Sequence, residues 1–181
     1  MAVVLILFIF LALYVAAVYN RLVRLRNLAK EGWSGIDVQL KRRADLVPNL
    51  VDTVKAYAQH EKQLLEEITR LRSESIRPHS VKEQAETEQA LTITLRKLMV
   101  VAEAYPDLRA DTNFLKLQKQ LSEIEDTLQK ARRYYNGTVR ELNTKIESFP
   151  SNVVAGVFSY SKYPFFELSD ASARHAPEIN L

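Results

Sequence analysis

No cysteine occurs among the 181 residues. That excludes a disulfide framework, and with it any thiolate nucleophile or thiolate metal ligand. The three histidines, His60, His79 and His175, lie far apart. His60-Glu61 has no second histidine four residues on, so the spacing of a zinc-protease helix is missing. Glycine-rich phosphate loops and the G-x-S-x-G elbow are missing too. Carboxylates are plentiful at Glu66, Glu67, Glu83, Glu86, Glu88, Glu123, Glu125 and Asp126. None belongs to the Glu-x-x-His pairs that a di-metal site inside a helical bundle needs, so they read as solvated faces. Catalytic residues, cofactor-binding residues and metal ligands are therefore not expected, and the chain reads as a protein other than an enzyme.

Glycine is scarce, at four residues, and strand-forming stretches are few; Leu, Glu, Lys, Arg, Gln and Ala dominate. These side chains lose least on entering a helix, which points to an all-α protein. Charge is missing from one place above all. Met1–Tyr19, MAVVLILFIFLALYVAAVY, contains no charged side chain, no proline and no glycine. At about 1.5 Å per residue a helix of that length crosses roughly the 30 Å hydrocarbon core of a bilayer. It is apolar all round, which suits lipid on every side. A cleaved signal peptide would have a basic start, a shorter apolar core and an A-x-A-like site, so the run reads as a retained transmembrane anchor.

Basic residues follow at once. Between Arg21 and Arg43 seven basic side chains (Arg21, Arg24, Arg26, Lys30, Lys41, Arg42, Arg43) stand against Glu31 and Asp37. The positive-inside bias places the body in the cytoplasm and the N-terminus outside. Anionic headgroups attract the membrane-surface set Arg21, Arg24, Arg26 and Lys30 by about 1 kcal/mol each. Nucleic acid is not an expected partner, because the remaining chain alternates sign and carries no basic face interleaved with aromatics.

Past Asn20 the apolar residues thin to a stripe at helical spacing: Leu22, Leu25, Ala29, Trp33, Ile36, Leu40. Asp45-Leu-Val-Pro48 is the first punctuation, an N-cap residue followed by a proline tolerated in a first turn. A hairpin with a new helix begun at Asp45 fits both signals; one long helix kinked at Pro48 is the alternative. Arg77-Pro78-His79 ends the second helix, and Ser80-Val-Lys-Glu83 is a capping box opening the third. Pro106-Asp107 ends the third. Phe114, Leu117, Leu121, Ile124, Leu128, Ala131, Tyr135, Thr138, Leu142 and Ile146 mark a last long helix that runs through Asn136-Gly137.

The expectation is an N-terminal transmembrane helix continuing into an antiparallel up-down four-helix bundle, with an aromatic irregular C-terminal tail. Its divisions are an anchor over 1–19, a cytoplasmic bundle over 20–149, an aromatic apolar tail over 150–168 and a disordered polar tail over 169–181. Trp33, the cluster Lys41, Arg42 and Arg43, and the tail aromatics Tyr160, Tyr163, Phe165 and Phe166 are candidate interface residues. The tail either lies in the headgroup layer or at a subunit contact, or it lids the bundle.

Several blocks resemble the LemA family: Tyr19-Asn-Arg-Leu-Val-Arg-Leu-Arg-Asn27, Gly32-Trp-Ser-Gly-Ile-Asp-Val-Gln-Leu-Lys-Arg-Arg43 and Asp45-Leu-Val-Pro-Asn-Leu-Val51. The likeness resumes at Ala102–Leu108, Ala131–Asn136, Glu147–Asn152 and Pro164–Glu167. Gly32 and Gly35 depart from it, standing where the family more often has Ala and Gln. The resemblance implies a bacterial single-pass membrane protein with an outward N-terminus and a cytoplasmic helical body. It carries no catalytic residues over. The function expected is that of a self-associating, membrane-anchored assembly protein or scaffold on the cytoplasmic face of the inner membrane. An adaptor recruiting a partner such as a membrane protease is the alternative.

Overall fold

The apolar run and the stripe behind it form one helix, α1 (Ala2–Tyr57). The computed structural model describes residues 1–77 and 79–167. A single 3-10 turn, Gln59–Glu61, leads into α2 (Lys62–Ser75); then come α3 (Val81–Ala102), α4 (Pro106–Ala110), α5 (Thr112–Glu147) and α6 (Ser151–Val157). The described residues contain no strand. Residues 168–181, which include the expected polar tail, lie outside the described residues.

The chain divides into two compact units; two of the three boundaries fall inside α1 and α5, and the third lies between Phe165 and Phe166. The first holds Met1–Arg42 and Ser122–Phe165. Its core joins Leu22, Leu25, Ala29 and Ile36 of α1 to Leu128, Tyr135, Val139 and Leu142 of α5, all buried. At Gly32 the two backbones approach closely. A Cβ there would sit 3.1 Å from the Tyr135 Cα and 3.2 Å from a ring carbon of Tyr134. The second unit holds Arg43–Leu121 and the described residues from Phe166 on. Its core comprises Val47, Leu50 and Val54 of α1, Ile68 and Leu71 of α2, Leu91, Leu95 and Leu98 of α3, and Leu108 and Phe114. Here α2 and α3 pack against each other.

Local chemistry explains the starts of α3 and α5. The Ser80 hydroxyl accepts the Glu83 amide at 3.3 Å while the Glu83 carboxylate accepts the Ser80 amide at 2.9 Å, a reciprocal cap on α3. Those Ser80 hydrogen bonds hold the Glu83 carboxyl below its usual range. At the start of α5 the Asp111 carboxylate accepts the Phe114 amide at 2.8 Å. It also accepts the Tyr57 hydroxyl at 2.9 Å. The Phe114 bond first, and the Tyr57 bond second, lower the Asp111 carboxyl, and the same contact raises the Tyr57 phenol.

The hairpin expected at Asp45 does not form: the first expected helix takes in the start of the second as far as Tyr57, and the rest of the second is α2. Pro48 has no amide hydrogen for the Ala44 carbonyl one turn back, the usual reason for a helix to break. That carbonyl instead accepts the Arg72 Nε of α2 at 2.9 Å, and α1 continues to Tyr57. The turn comes at Ala58, whose side chain is fully buried. The tail also differs from expectation, because its first residues, Ser151–Val157, are helical; only residues 160–167 lack regular structure. The Ser151 hydroxyl anchors that helix by donating to the Lys145 and Ser148 carbonyls at 2.7 and 2.8 Å.

Candidate functional site

The anchor and the part of the first unit beside it make the candidate site. Among the described residues one helix, α1, is long and apolar enough to cross a membrane, and its apolar segment lies at its N-terminus. Leu5, Leu7, Phe8 and Phe10 are each more than 60% exposed, a rod greasy on all sides. Cover begins only at its last turn, where Val18 falls to 5% and Leu22 to zero.

The helix pairing sets the height of everything nearby. Gly32 of α1 lies against Tyr135 of α5, and the Arg21 guanidinium reaches the Glu141 carboxylate at 3.7 Å, so the helices run antiparallel. Thirteen residues back from Gly32, about 20 Å along the axis, is Tyr19; the same distance on from Tyr135 is Ser148. The end of α5 therefore returns level with the end of the apolar run. Ring contacts agree: Tyr19 lies 4.7 Å from Phe158 and 6.3 Å from Tyr160, centroid to centroid.

A tight reversal separates those two partners. The Ser159 amide donates to the Gly156 carbonyl at 3.1 Å and the Tyr160 amide to the Ala155 carbonyl at 2.9 Å. With Ser159 at φ 55°, this is a Schellman close to α6, and it sends the chain back toward α5. The Tyr163 backbone is then clamped by Asn143, which donates to its carbonyl and accepts its amide, both at 2.9 Å. One step on, the Tyr135 hydroxyl donates to the Pro164 carbonyl at 2.9 Å. Burial, assisted by Tyr163, pushes the Tyr135 phenol up to about 12.

The sequence candidates fall out as follows. Arg21, Arg24 and Lys30 are exposed, whereas Arg26 is half-buried with its guanidinium 5.2 Å from the Tyr160 ring centre, a cation–π contact. Trp33 is half-buried and meets the Tyr135 ring at 5.6 Å and 60°, which makes it packing material. Tyr160, Tyr163 and Phe165 are half-buried and Phe166 is buried.

Arg43 is a correction. Lys41 and Arg42 are exposed, but Arg43 is fully buried and cannot belong to a surface patch with them. It forms an ion pair with Glu88, also fully buried, and donates to the Thr92 hydroxyl at 2.7 Å. The Gln84 amide donates to Glu88 at 2.7 Å and to the Ser75 carbonyl at 3.0 Å. Glu88 is thus not part of a solvated face. Helical spacing counts polar residues as outward by default, and nothing in the one-dimensional pattern pairs Arg43 with a carboxylate 45 positions away.

The candidate interface residues leave out Phe149, Val153, Val157 and Phe158, exposed apolar residues just after α5 and on or next to α6, of which the last three belong to the expected apolar tail. A signal is there: an apolar residue every fourth position across the Phe149-Pro150 turn. Among the described residues no three of His, Cys, Asp and Glu come together as metal ligands would.

Known proteins match this chain in two ways. The family model described as the LemA family matches residues 32–181. Protein LemA of Metamycoplasma hominis is 28% identical over 158 residues, covering 83% of this chain and 69% of the relative.

Proposed function

This chain belongs to the LemA family, and from that premise we propose that it is a non-enzymatic, membrane-anchored assembly protein. Its body lies on the cytoplasmic face of a bacterial inner membrane and associates with further copies. The observation that carries this is the continuity of α1. One helix of 56 residues is at once the lipid-seeking rod and a contributor to the core of each unit. An anchor joined without a linker holds every copy's body at one height above the bilayer. Weak lateral contacts between copies then add together, as effective concentration does for any tethered pair.

The basic flank of Arg21, Arg24 and Lys30 supports the orientation, by the positive-inside bias and by attraction to anionic headgroups. Detergent extracts of membranes should yield particles of several copies by native mass measurement or electron microscopy. A uniform monomer would overturn the self-association.

The second reading, an adaptor, rests on a groove of the second unit lined by Leu64, Ile93, Val100 and Val101, with Arg96 and Lys97 on its rim. Val100 is 68% exposed there. Ile93→Asp with Val100→Asp should abolish capture of a partner while leaving particle size unchanged. Capture that survives both changes would exclude this groove.

A further inference from the structure

The membrane-side end of the first unit carries an apolar surface that its own fold leaves uncovered. Phe149, Val153 and Val157 recur every fourth residue and are 83%, 59% and 74% exposed. They lie apart from Val154 and Ala155, the face of α6 that is buried. Phe158, half exposed, joins them to Tyr19 at the end of the apolar run. This surface is held rigidly. Ser151 pins the start of α6, the Schellman close fixes its end, and Asn143 clamps the chain that leaves it.

We propose that Phe149 and α6 form a second membrane contact, an apolar foot resting in the headgroup and upper acyl layer of the leaflet from which α1 emerges. The inference rests on the reading of Met1–Tyr19 as a bilayer span. Lipid is the occupant because the surface is continuous with that span. The α1–α5 pairing sets Ser148 level with Tyr19, and Phe158 touches the Tyr19 ring. The same unit exposes Arg21, Arg24 and Lys162. Arg21 pairs with Glu141 and Lys162 with Glu147, which leaves Arg24, with no carboxylate partner among the described residues, as the cation of the three to attract anionic headgroups. Adjacent exposed aromatic and aliphatic residues beside a cation are the composition of interfacial membrane segments. One helix through a bilayer leaves the first unit free to tilt about the point where α1 emerges. A second contact beside it limits that tilt, so every copy's first unit meets the bilayer at the same angle.

The lack of cysteine makes the test direct. Single cysteines at Val153, Val157, Phe8 and Asp37 carry an environment-sensitive fluorophore in the full chain, reconstituted in vesicles of phosphatidylcholine and phosphatidylglycerol. Asp37 is exposed and lies about 27 Å along α1 from Tyr19. Lipids spin-labelled near the headgroup should quench the Val153→Cys and Val157→Cys probes at least about threefold more than the Asp37→Cys probe. Foot probes quenched no more than Asp37→Cys, with Phe8→Cys quenched by a label at the bilayer centre, would overturn the foot and leave the anchor standing. A Phe8→Cys probe that also escapes quenching would remove both. Blue-shifted emission from the foot without lipid quenching would mean that a second copy covers it, and would overturn the lipid contact.

Discussion

Arg43 and Glu88 set the energetics of the second unit at the level of single residues. A charge pair with both side chains fully buried is worth little against an apolar pair of equal size, but losing one partner strands the other. Arg43→Met alone, or Glu88→Met alone, should destabilise the protein by about 3–5 kcal/mol in chemical unfolding. The double variant Arg43→Met/Glu88→Met should recover most of that loss; additive losses would show that the two act separately. Tyr135 governs the tail. Its phenol is raised in the folded state, so its contribution is fully present below the ordinary tyrosine value and is lost as pH rises toward about 12. Tyrosinate absorbance should show Tyr135 within a late-titrating fraction that also holds Tyr57 and Tyr105, and amide exchange at Tyr163 and Phe165 should accelerate as Tyr135 ionises. Tyr135→Phe should remove one residue from that fraction and loosen the same segment by about 1 kcal/mol at neutral pH.

The decisive element is α1. Proline within a helix removes a hydrogen bond and ordinarily costs about 3 kcal/mol, yet here the orphaned Ala44 carbonyl has Arg72. The two should couple. Arg72→Ala should destabilise the parent more than it destabilises a Pro48→Ala background, where a restored backbone amide can take the carbonyl back. Equal losses in both backgrounds would show that Arg72 is not the compensating group. Two glycines of α1 behave differently from each other. A Cβ added at Gly35 would meet nothing within 4 Å, so Gly35→Ala should add about 0.5–1 kcal/mol to stability. A methyl at Gly32 must push Tyr134 and the Tyr135 backbone aside, so thermal unfolding of Gly32→Ala should show a smaller gain or a loss.

Orientation is the prediction that belongs to the whole molecule. With the body inside the cell, the Asp37→Cys variant in intact cells should resist a membrane-impermeant maleimide and react after lysis. Reaction in intact cells would reverse the proposed topology. The fold class is legible from composition, and the capping box, the breaks before Pro78 and Pro106 and the uninterrupted run through Asn136-Gly137 are legible from local chemistry. Pro48 misleads because the deciding hydrogen bond comes from Arg72, 28 residues from the carbonyl it serves. The exposed face of α6 is faint in the sequence because three apolar residues four positions apart do not stand clear of the aromatic tail around them.

The sequence by itself determined the apolar rod, the helical content and the basic collar, because each follows from the transfer energy or backbone preference of residues close together in the chain. Only the tertiary structure decided that α1 survives Pro48, that Arg43 and Glu88 meet away from solvent, and that α6 returns beside Tyr19. Those outcomes depend on side chains distant in sequence completing each other's hydrogen bonds and charges, and no window along the chain contains both halves.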